Sequence, residues 1–351
     1  MSPNYRWRKE PGLRVRGSRP LDSAKVQAPG AVRLPGGGVR LFYTAVGPAK
    51  PFANCQGYIL SATSEDGLTF RPDPGIRIAP RPEMPHMSLR VLAPAVAAAR
   101  GGGWRMYFEA RGSAARPTVI CSAVSMDLLQ WELEAGIRIE TRDGVRAPRY
   151  LPQANGGGRL FFIQSEYGPA DRKPGGRPSH SVASALSSDG LHFTSEPGYR
   201  LRDRQGSYDA IGLTAGEVIP PAAPGDDWLM VYSAWQDVPA GTVLPPHPSR
   251  DPDAETNGQS QDFAAASIAS DLAGYRSRIF AARSADGLTW SGAQCLVEGG
   301  GPGDGGVDAI HAEDMALLRI DSARYRMYYA ACDRSGNWGV ASAIGEKTGR
   351  K

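Results

Sequence analysis

The chain has 351 residues, of which 41% are apolar and 22% charged, and its formal net charge at pH 7 is +4. This composition predicts a soluble globular protein, and 43 Gly and 29 Pro without a collagen-like period are typical of an all-β chain with many turns. No run of 18 apolar residues occurs and the N-terminus lacks the apolar part of a secretory signal, so we expect a cytoplasmic protein without a membrane span.

The cysteines and the basic residues argue against three further classes of protein. Cys55, Cys121, Cys295 and Cys332 form no C-x-x-C pair, which argues against a zinc ribbon and against a disulfide scaffold. Arginines are spread along the chain and form no basic block, so we expect no nucleic-acid partner.

The N-terminal segment 6–15, "RWRKEPGLRV", is related to three internal segments. They are "TFRPDPGIRI" (69–78), "QWELEAGIRI" (130–139) and "HFTSEPGYRL" (192–201). Each copy has an aromatic residue, then polar residues, a glycine and an ending in which arginine stands between apolar residues. The sequence therefore contains an internal repeat.

A turn signature occurs four times, and its first three occurrences lead into the three internal copies. It reads "SEDGLTF" (64–70), "SMDLLQW" (125–131), "SSDGLHF" (187–193) and "SADGLTW" (284–290), with spacings of 61, 62 and 97 residues between the aspartates. Asp-Gly between two β-rich segments predicts a type I′ hairpin turn, in which both central residues have positive φ. The spacing indicates units of about 60 residues, with extra chain in the fourth.

Two further strands are predicted in every unit. The first strands contain "QAPGAVRLP", "LAPAVAAA", "RAPRYLPQ", "LTAGEVIPP" and "AEDMALLRI", and the second contain "VRLFYTAVG", "WRMYFEARG", "RLFFIQSEYG", "WLMVYSAWQ" and "YRMYYAACD". We predict one all-β domain over 1–351, a five-bladed β-propeller with four antiparallel strands per blade. The blades span about 26–78, 88–139, 144–201, 208–297 and 307–346, and residues 5–15 supply the last strand that closes the ring.

The long insertion 237–277 lies in blade 4, on the face opposite the Asp-Gly turns. A connection of this length is predicted to be a lid or binding loop, with a disordered segment as the alternative. The functional rim is expected on this same face.

These features resemble the five-bladed glycosidase superfamily of arabinanases, β-xylosidases, invertases and levansucrases. The resemblance rests on the Ala-Pro pairs at Ala28, Ala93 and Ala147, on the "RLFYT"-like second strands and on the "SxDGxxW" turns. It implies catalysis by a pair of carboxylates at the inner ends of the first strands. The positions after Ala-Pro, where the family pattern implies acids, hold Gly30, Ala95 and Arg149.

Acidic residues occur instead on the last two blades. Asp209 in "YDAIGL" and Asp308 in "VDAIHAEDM" share a D-A-I entry, and His311, Glu313 and Asp314 follow the latter. We expect general acid and base residues among these five, with a structural role in capping loop amides as the alternative. Strand alternation predicts that only one of Glu313 and Asp314 reaches the channel. The resemblance also implies that His311 can hold a metal ion.

Basic and aromatic residues complete the predicted site. Lys25, Arg90 and Arg146 are expected to bind a carboxylate or phosphate of the substrate, with ion pairing to the aspartates as the alternative. Further candidates for substrate binding are Glu109, Glu166, Tyr167, Trp235 and His86.

The sequence favours a glycoside-hydrolase-like enzyme that acts by acid and base catalysis. Its expected substrate is an oligosaccharide or a sugar-like or polar small molecule, either neutral or anionic. Two alternatives remain open, a non-hydrolytic cyclase, lyase or isomerase on the same scaffold and a non-catalytic binding propeller. No cofactor is expected to be required, and a structural cation such as calcium in the central channel stays an alternative.

Overall fold

The structure, a computed structural model, describes residues 4–47, 56–113, 116–153, 157–168, 179–203, 212–237, 275–298 and 306–348. Over these residues it contains twenty β-strands and no α-helix. In the same ranges, no helix has the length and apolar character that crossing a membrane requires. The all-β prediction is confirmed.

The strands form antiparallel groups, which we number in chain order after β1 (Asn4–Arg16). Group 1 contains β2 (Lys25–Arg33), β3 (Val39–Val46), β4 (Gly57–Ser64) and β5 (Arg71–Pro72). Group 2 contains β6 (Arg90–Ala98), β7 (Trp104–Arg111), β8 (Val119–Ser125) and β9 (Glu132–Leu133). Group 3 contains β10 (Val145–Pro152), β11 (Gly158–Glu166), β12 (Ser179–Ser187) and β13 (Thr194–Ser195).

The remaining strands form two more groups. Group 4 contains β14 (Gly212–Ile219), β15 (Trp228–Asp237), β16 (Tyr275–Ser284) and β17 (Ser291–Val297). Group 5 contains β18 (His311–Arg319), β19 (Arg324–Cys332), β20 (Trp338–Thr348) and, as its fourth strand, β1. Single parallel pairs, Gly57 with Arg90 and Ser277 with His311, join groups 1 and 2 and groups 4 and 5.

The N-terminal strand completes the C-terminal group. Its pairing with β20 extends from Asn4 opposite Thr348 to Glu10 opposite Ser342, and resumes at Val15 opposite Val340. Residues 5–15 therefore lie within a strand that pairs with the last strand of the C-terminal group. An otherwise unpaired edge of β20 is thereby covered.

The core lies between neighbouring groups and is built from the second strands. Every residue of β3 is buried, and the fully buried side chains include Tyr43, Tyr107, Tyr232 and Tyr329 from second strands. Aromatic and β-branched residues predominate there because a strand covered on both faces removes both sets of side chains from water.

The acidic residue of each repeat copy has one structural role. Glu10 accepts hydrogen bonds from Nε of Arg326 at 2.9 Å and from Oγ of Ser342 at 2.6 Å. Groups 1, 2 and 3 repeat the arrangement with Arg40, Asp73 and Ser61, with Arg105, Glu134 and Ser122, and with Arg159, Glu196 and Ser184. This contact joins the second, third and fourth strands of a group. The N-terminal strand makes the same contact, which explains why its sequence is related to that of the internal segments.

The arginine reaches the neighbouring group in three of the four repeat copies. Arg77 of group 1 donates to the carbonyl of Leu129 in group 2 at 2.6 Å, and Arg138 donates to Leu191 in group 3 at 3.2 Å. In the same way Arg14 of β1 donates to Leu68 in group 1 at 3.1 Å. The N-terminal strand therefore links group 5 to group 1.

The Asp-Gly turns differ from the predicted type I′ geometry. In the first turn only Gly67 has a positive φ (73°), whereas Asp66 does not. The Asp66 carboxylate instead accepts the N–H groups of Leu68 and Thr69, each at 2.8 Å, and Ser64 Oγ accepts that of Gly67 at 2.9 Å. The type I′ prediction was wrong because these side chains fix the loop, so the aspartate needs no left-handed backbone.

We predict that Glu10→Ala lowers the free energy of unfolding by about 2 kcal/mol, because Arg326 and Ser342 lose a partly buried acceptor. Urea denaturation provides the measurement. The control is Glu346→Ala at an exposed position of β20, with an expected effect within about 0.5 kcal/mol. Equal stability of the two variants would contradict the role of Glu10.

Candidate functional site

A cavity of about 270 Å³ lies where the first strands begin, and all five groups contribute to its walls. Its lining comprises Lys25, Gln27, Ala28, Val46, Arg90, Leu92, Ala93, Glu109, Arg111, Arg146, Ala147, Thr214, Trp235, Glu313 and Asp314. Seven predicted site residues lie together in it: Lys25, Arg90, Glu109, Arg146, Trp235, Glu313 and Asp314.

A β-bulge in each first strand shapes this cavity. In β2, Gln27 pairs with Thr44 and Gly30 with Phe42, so that Ala28 and Pro29 share one position of the neighbouring strand. Ala28 has φ 47°, which turns its Cβ away from the regular alternation of the strand. The bulge residue therefore lines the cavity.

The same position recurs in the other groups. Ala93, Ala147 and Asp314 have φ values of 51°, 48° and 50° at equivalent bulges, and Thr214 is the extra residue of the bulge in β14. Asp314 is the only acid among these five lining residues. The bulges thus give the cavity one carboxyl group.

Strand alternation was a wrong guide to Glu313 and Asp314. Both side chains line the cavity, because the positive φ of Asp314 interrupts the alternation between them. The position that was expected to hold an acid in group 1 has no room for one: a Cβ on Gly30 would lie 2.2 Å from the carbonyl oxygen of Pro94.

Asp314 is held by its backbone and by the neighbouring group. Its N–H donates to Oγ of Ser233 at 3.0 Å, and that hydroxyl lies 2.5 Å from Oγ1 of Thr214. Burial, reinforced by the charge of Glu313, raises the pKa of Asp314 from 3.8 to about 7. Near neutral pH, this group can therefore hold a proton and release it.

The two other carboxylates of the cavity have fixed partners. Oε2 of Glu313 accepts the indole N–H of Trp235 at 3.0 Å, and Oε1 of Glu109 lies 3.4 Å from a guanidinium nitrogen of Arg111. Both carboxylates are buried to more than nine tenths. The cavity accordingly contains an acid with a raised pKa beside carboxylates that are bound by a hydrogen bond or an ion pair.

Basic groups face these acids. The ammonium group of Lys25 lies 3.6 Å above the ring of Trp338, and burial lowers its pKa while Glu313 and Asp314 oppose that change. Arg146 donates to Oγ of Ser165 at 2.8 Å. With Arg90 and Arg111, four basic side chains line the cavity.

Two predicted catalytic residues lie outside the cavity lining. Asp308 is buried and binds Nζ of Lys9 at 2.7 Å and the hydroxyl of Tyr329 at 3.0 Å, so it anchors the N-terminal strand. His311 stacks on Trp338 with ring centroids 5.2 Å apart, and its Nδ1 lies 2.9 Å from Oγ of Ser277.

The other predicted residues are also elsewhere. Glu166 accepts the hydroxyl of Tyr199 at 2.9 Å, and the N–H of Tyr167 donates to Asp143 at 3.0 Å. His86 lies in the loop before β6, and neither it, Glu166 nor Tyr167 contributes to the cavity lining. Asp209 and most of the insertion 237–277 lie outside the described residues.

Arg149 occupies the point where four groups meet. Its guanidinium donates to the carbonyl oxygens of Met315, Pro148 and Pro29 at 2.9, 2.8 and 3.4 Å, and lies 3.5 Å from Glu217. These oxygens are the ligands that a calcium ion would use. The Arg149 side chain thus supplies positive charge to these oxygens. No metal-binding cluster of three or more His, Cys, Asp or Glu side chains occurs within the described ranges.

Three polar lining residues, Gln27, Arg111 and Thr214, were missed in the sequence. Arg111 stands two positions after Glu109 on β7, so the strand period places both on one face and could have revealed it. Thr214 carries no comparable signal, because its place depends on the bulge in β14.

The chain is similar in structure to solved carbohydrate-active proteins. One is a "Glycoside hydrolase" (TM-score 0.67, 14% identity, 98% of this chain and 94% of that chain). Others are a β-1,2-mannobiose phosphorylase from Listeria innocua (0.66, 13%, 99% and 97%) and a thermostable family-43 glycoside hydrolase (0.62, 12%, 95% and 93%). No protein-family model and no curated protein matches the chain. At these identities the similarity shows the fold alone, which is the propeller-like fold of glycosidases.

We predict that Arg149→Met lowers the free energy of unfolding by about 3 kcal/mol or more, because it removes the cation beside the Glu217 carboxylate and the donor to the carbonyl groups of Met315 and Pro29. The double variant Arg149→Met, Glu217→Gln should recover part of this loss. Urea denaturation of both variants tests the expectation. Wild-type stability of the single variant would contradict it.

A second prediction concerns the raised pKa of Asp314. The folded state keeps the proton of Asp314 at pH values where the unfolded chain has lost it. The stability that protonated Asp314 contributes is therefore full below about pH 4 and is lost as the pH rises through about 7. Asp314→Asn should therefore gain stability over the wild type across this range. Thermal unfolding from about pH 4 to about pH 8 measures the difference. The control Asp227→Asn, at a surface carboxylate, should show no such trend, and a constant difference for Asp314→Asn would refute the raised pKa.

Proposed function

We propose that the chain is a five-bladed β-propeller enzyme that cleaves the glycosidic bond of a small sugar substrate carrying an anionic group. The five antiparallel groups are its blades. This blade count is supported by the contacts of the first strands, in which β2 meets β6, β6 meets β10, β10 meets β14, β14 meets β18 and β18 meets β2. The contact between Arg14 and Leu68 supports closure between groups 5 and 1.

The observation that carries the proposed chemistry is the set of three carboxyl groups in one cavity. Asp314, with its pKa raised to about 7, is the general acid that protonates the leaving glycosidic oxygen. Glu313 or Glu109 accepts the proton of the attacking water. The water oxygen bonds to the anomeric carbon as the bond from that carbon to the leaving oxygen breaks.

An anionic substrate follows from the charges of the cavity. Lys25, Arg90, Arg111 and Arg146 face two carboxylates, Glu109 and Glu313, when Asp314 is protonated. A carboxylate or phosphate on the sugar would balance this excess, and guanidinium groups bind such anions by paired hydrogen bonds. The cavity of about 270 Å³ suits one sugar ring.

Phosphorolysis is a second candidate reaction. Here orthophosphate, held by the same basic side chains, would replace water as the nucleophile and leave a sugar phosphate. The chain shares its fold with a mannobiose phosphorylase, and this similarity is the reason to test phosphorolysis. A non-hydrolytic cyclase, lyase or isomerase and a binding propeller remain the alternatives if neither form of cleavage occurs.

The decisive experiment is release of nitrophenol from a panel of nitrophenyl glycosides and glycuronides, with and without orthophosphate. We predict that Asp314→Asn lowers kcat by about 10² to 10⁴ on cleaved substrates whose poor leaving group needs the proton, whereas Asp227→Asn leaves kcat unchanged. On substrates with poor leaving groups, wild-type kcat should fall as the pH rises through about 7, because the acid loses its proton.

The outcomes separate the candidates. Release that requires orthophosphate identifies phosphorolysis, and release without it identifies hydrolysis. An Asp314→Asn variant with wild-type kcat would refute the role of Asp314. If no glycoside in a broad panel is cleaved under either condition, the proposed function fails.

A further inference from the structure

His180 lies behind the anion-binding side of the cavity and is in contact with Arg146. It is buried near the start of β12, while Arg146 stands one position before the bulge of β10. Nη2 of Arg146 is 3.0 Å from Nδ1 of His180 and 2.8 Å from Oγ of Ser165. Nη2 also lies 3.5 Å from Nε2 of the ring; because a guanidinium can only donate, we infer that the nearer nitrogen, Nδ1, accepts and that the ring proton is on Nε2.

The surroundings of the imidazole hold it in this orientation. The ring meets that of Trp235 edge to face, with centroids 5.9 Å apart. Gly212 of the adjacent strand provides the space, because a Cβ there would lie 2.8 Å from Cδ2 of His180. Burial and then the charge of Arg146 lower the pKa of His180 to about 3, so the ring stays neutral at physiological pH.

The contact leaves part of the guanidinium for a ligand. Among the described residues, Nη1 of Arg146 has no hydrogen-bond partner, and its Nε is buried without one. Arg146 itself lines the cavity. The side chain is thus fixed through Nη2 while other donors remain unused.

We propose that His180 is a positioning residue that presents the guanidinium of Arg146 to a carboxylate or phosphate of the ligand. This role rests on the proposed function, because it assumes that the same cavity binds an anionic substrate. Through Trp235, which donates to Glu313, the ring also packs against the carboxylate side of the site. His180 does not line the cavity and acts through Arg146.

Calorimetric titration with inorganic phosphate, D-glucuronate and neutral D-glucose tests the role. His180→Phe keeps an aromatic ring but removes the acceptor, and should weaken binding of the preferred anion about tenfold. His180→Asn restores an acceptor near Nδ1 and should bind within about threefold of wild type. The matched control is His192→Phe, at an exposed histidine of a distant turn, and it should bind like wild type.

The titrations distinguish the failure of each proposal. Unchanged anion binding by His180→Phe, or an equal loss of anion and glucose binding, would overturn the positioning role alone. Binding of neither anion by the wild type would remove the anionic substrate from the proposed function, and the positioning role with it.

A second measurement does not depend on a ligand. Nitrogen-15 NMR of the five histidines, with His180→Asn used for assignment, should show Nδ1 of His180 unprotonated from about pH 5 to about pH 8. A proton on Nδ1, or a titration within this range, would contradict the inferred hydrogen bond from Arg146. Circular dichroism verifies that each variant is folded.

Discussion

The pairing of the N-terminal strand with β20 is the interaction on which the arrangement of the described groups depends. This strand brings Glu10 to Arg326, Arg14 to a carbonyl of group 1 and Lys9 to the buried Asp308. These contacts join residues from the two ends of the chain, so the cost in chain entropy must be met by many simultaneous contacts. Asp308, expected to be catalytic, serves this junction in the structure.

The site depends on a second constraint, the β-bulge at the start of each first strand. A positive φ at a non-glycine residue is unfavourable in isolation, and Ala28, Ala93, Ala147 and Asp314 all adopt it. The surrounding contacts maintain the strain: the N–H of Ala93 is bound by Thr44 of the preceding group at 2.9 Å, as that of Asp314 is by Ser233. The backbone geometry that places the three alanines in the cavity also places the carboxyl group of Asp314 there.

Electrostatic balance gives the cavity its chemical character. Arg149 binds carbonyl oxygens of three groups below the bulges and adds positive charge near Asp314. Burial nevertheless dominates and raises the pKa of Asp314, because a carboxylate in this position has lost most of its hydration. Below about pH 7, a neutral Asp314 lies in the cavity and a neutral His180 lies behind it, both near charged arginines. Burial and neighbouring charge account for both protonation states.

The sequence by itself determined the strands, their order in each group and the place of residues 5–15, because the repeat records a contact that recurs in groups 1, 2, 3 and 5, such as that of Glu10 with an arginine and a serine. It also pointed to seven residues of the cavity. Only the tertiary structure decided that Asp308 anchors a strand, that Glu313 and Asp314 share a cavity and that Arg149 stands where four groups meet. These outcomes depend on bulges and on contacts between distant groups, and a strand period of two residues contains no information about either.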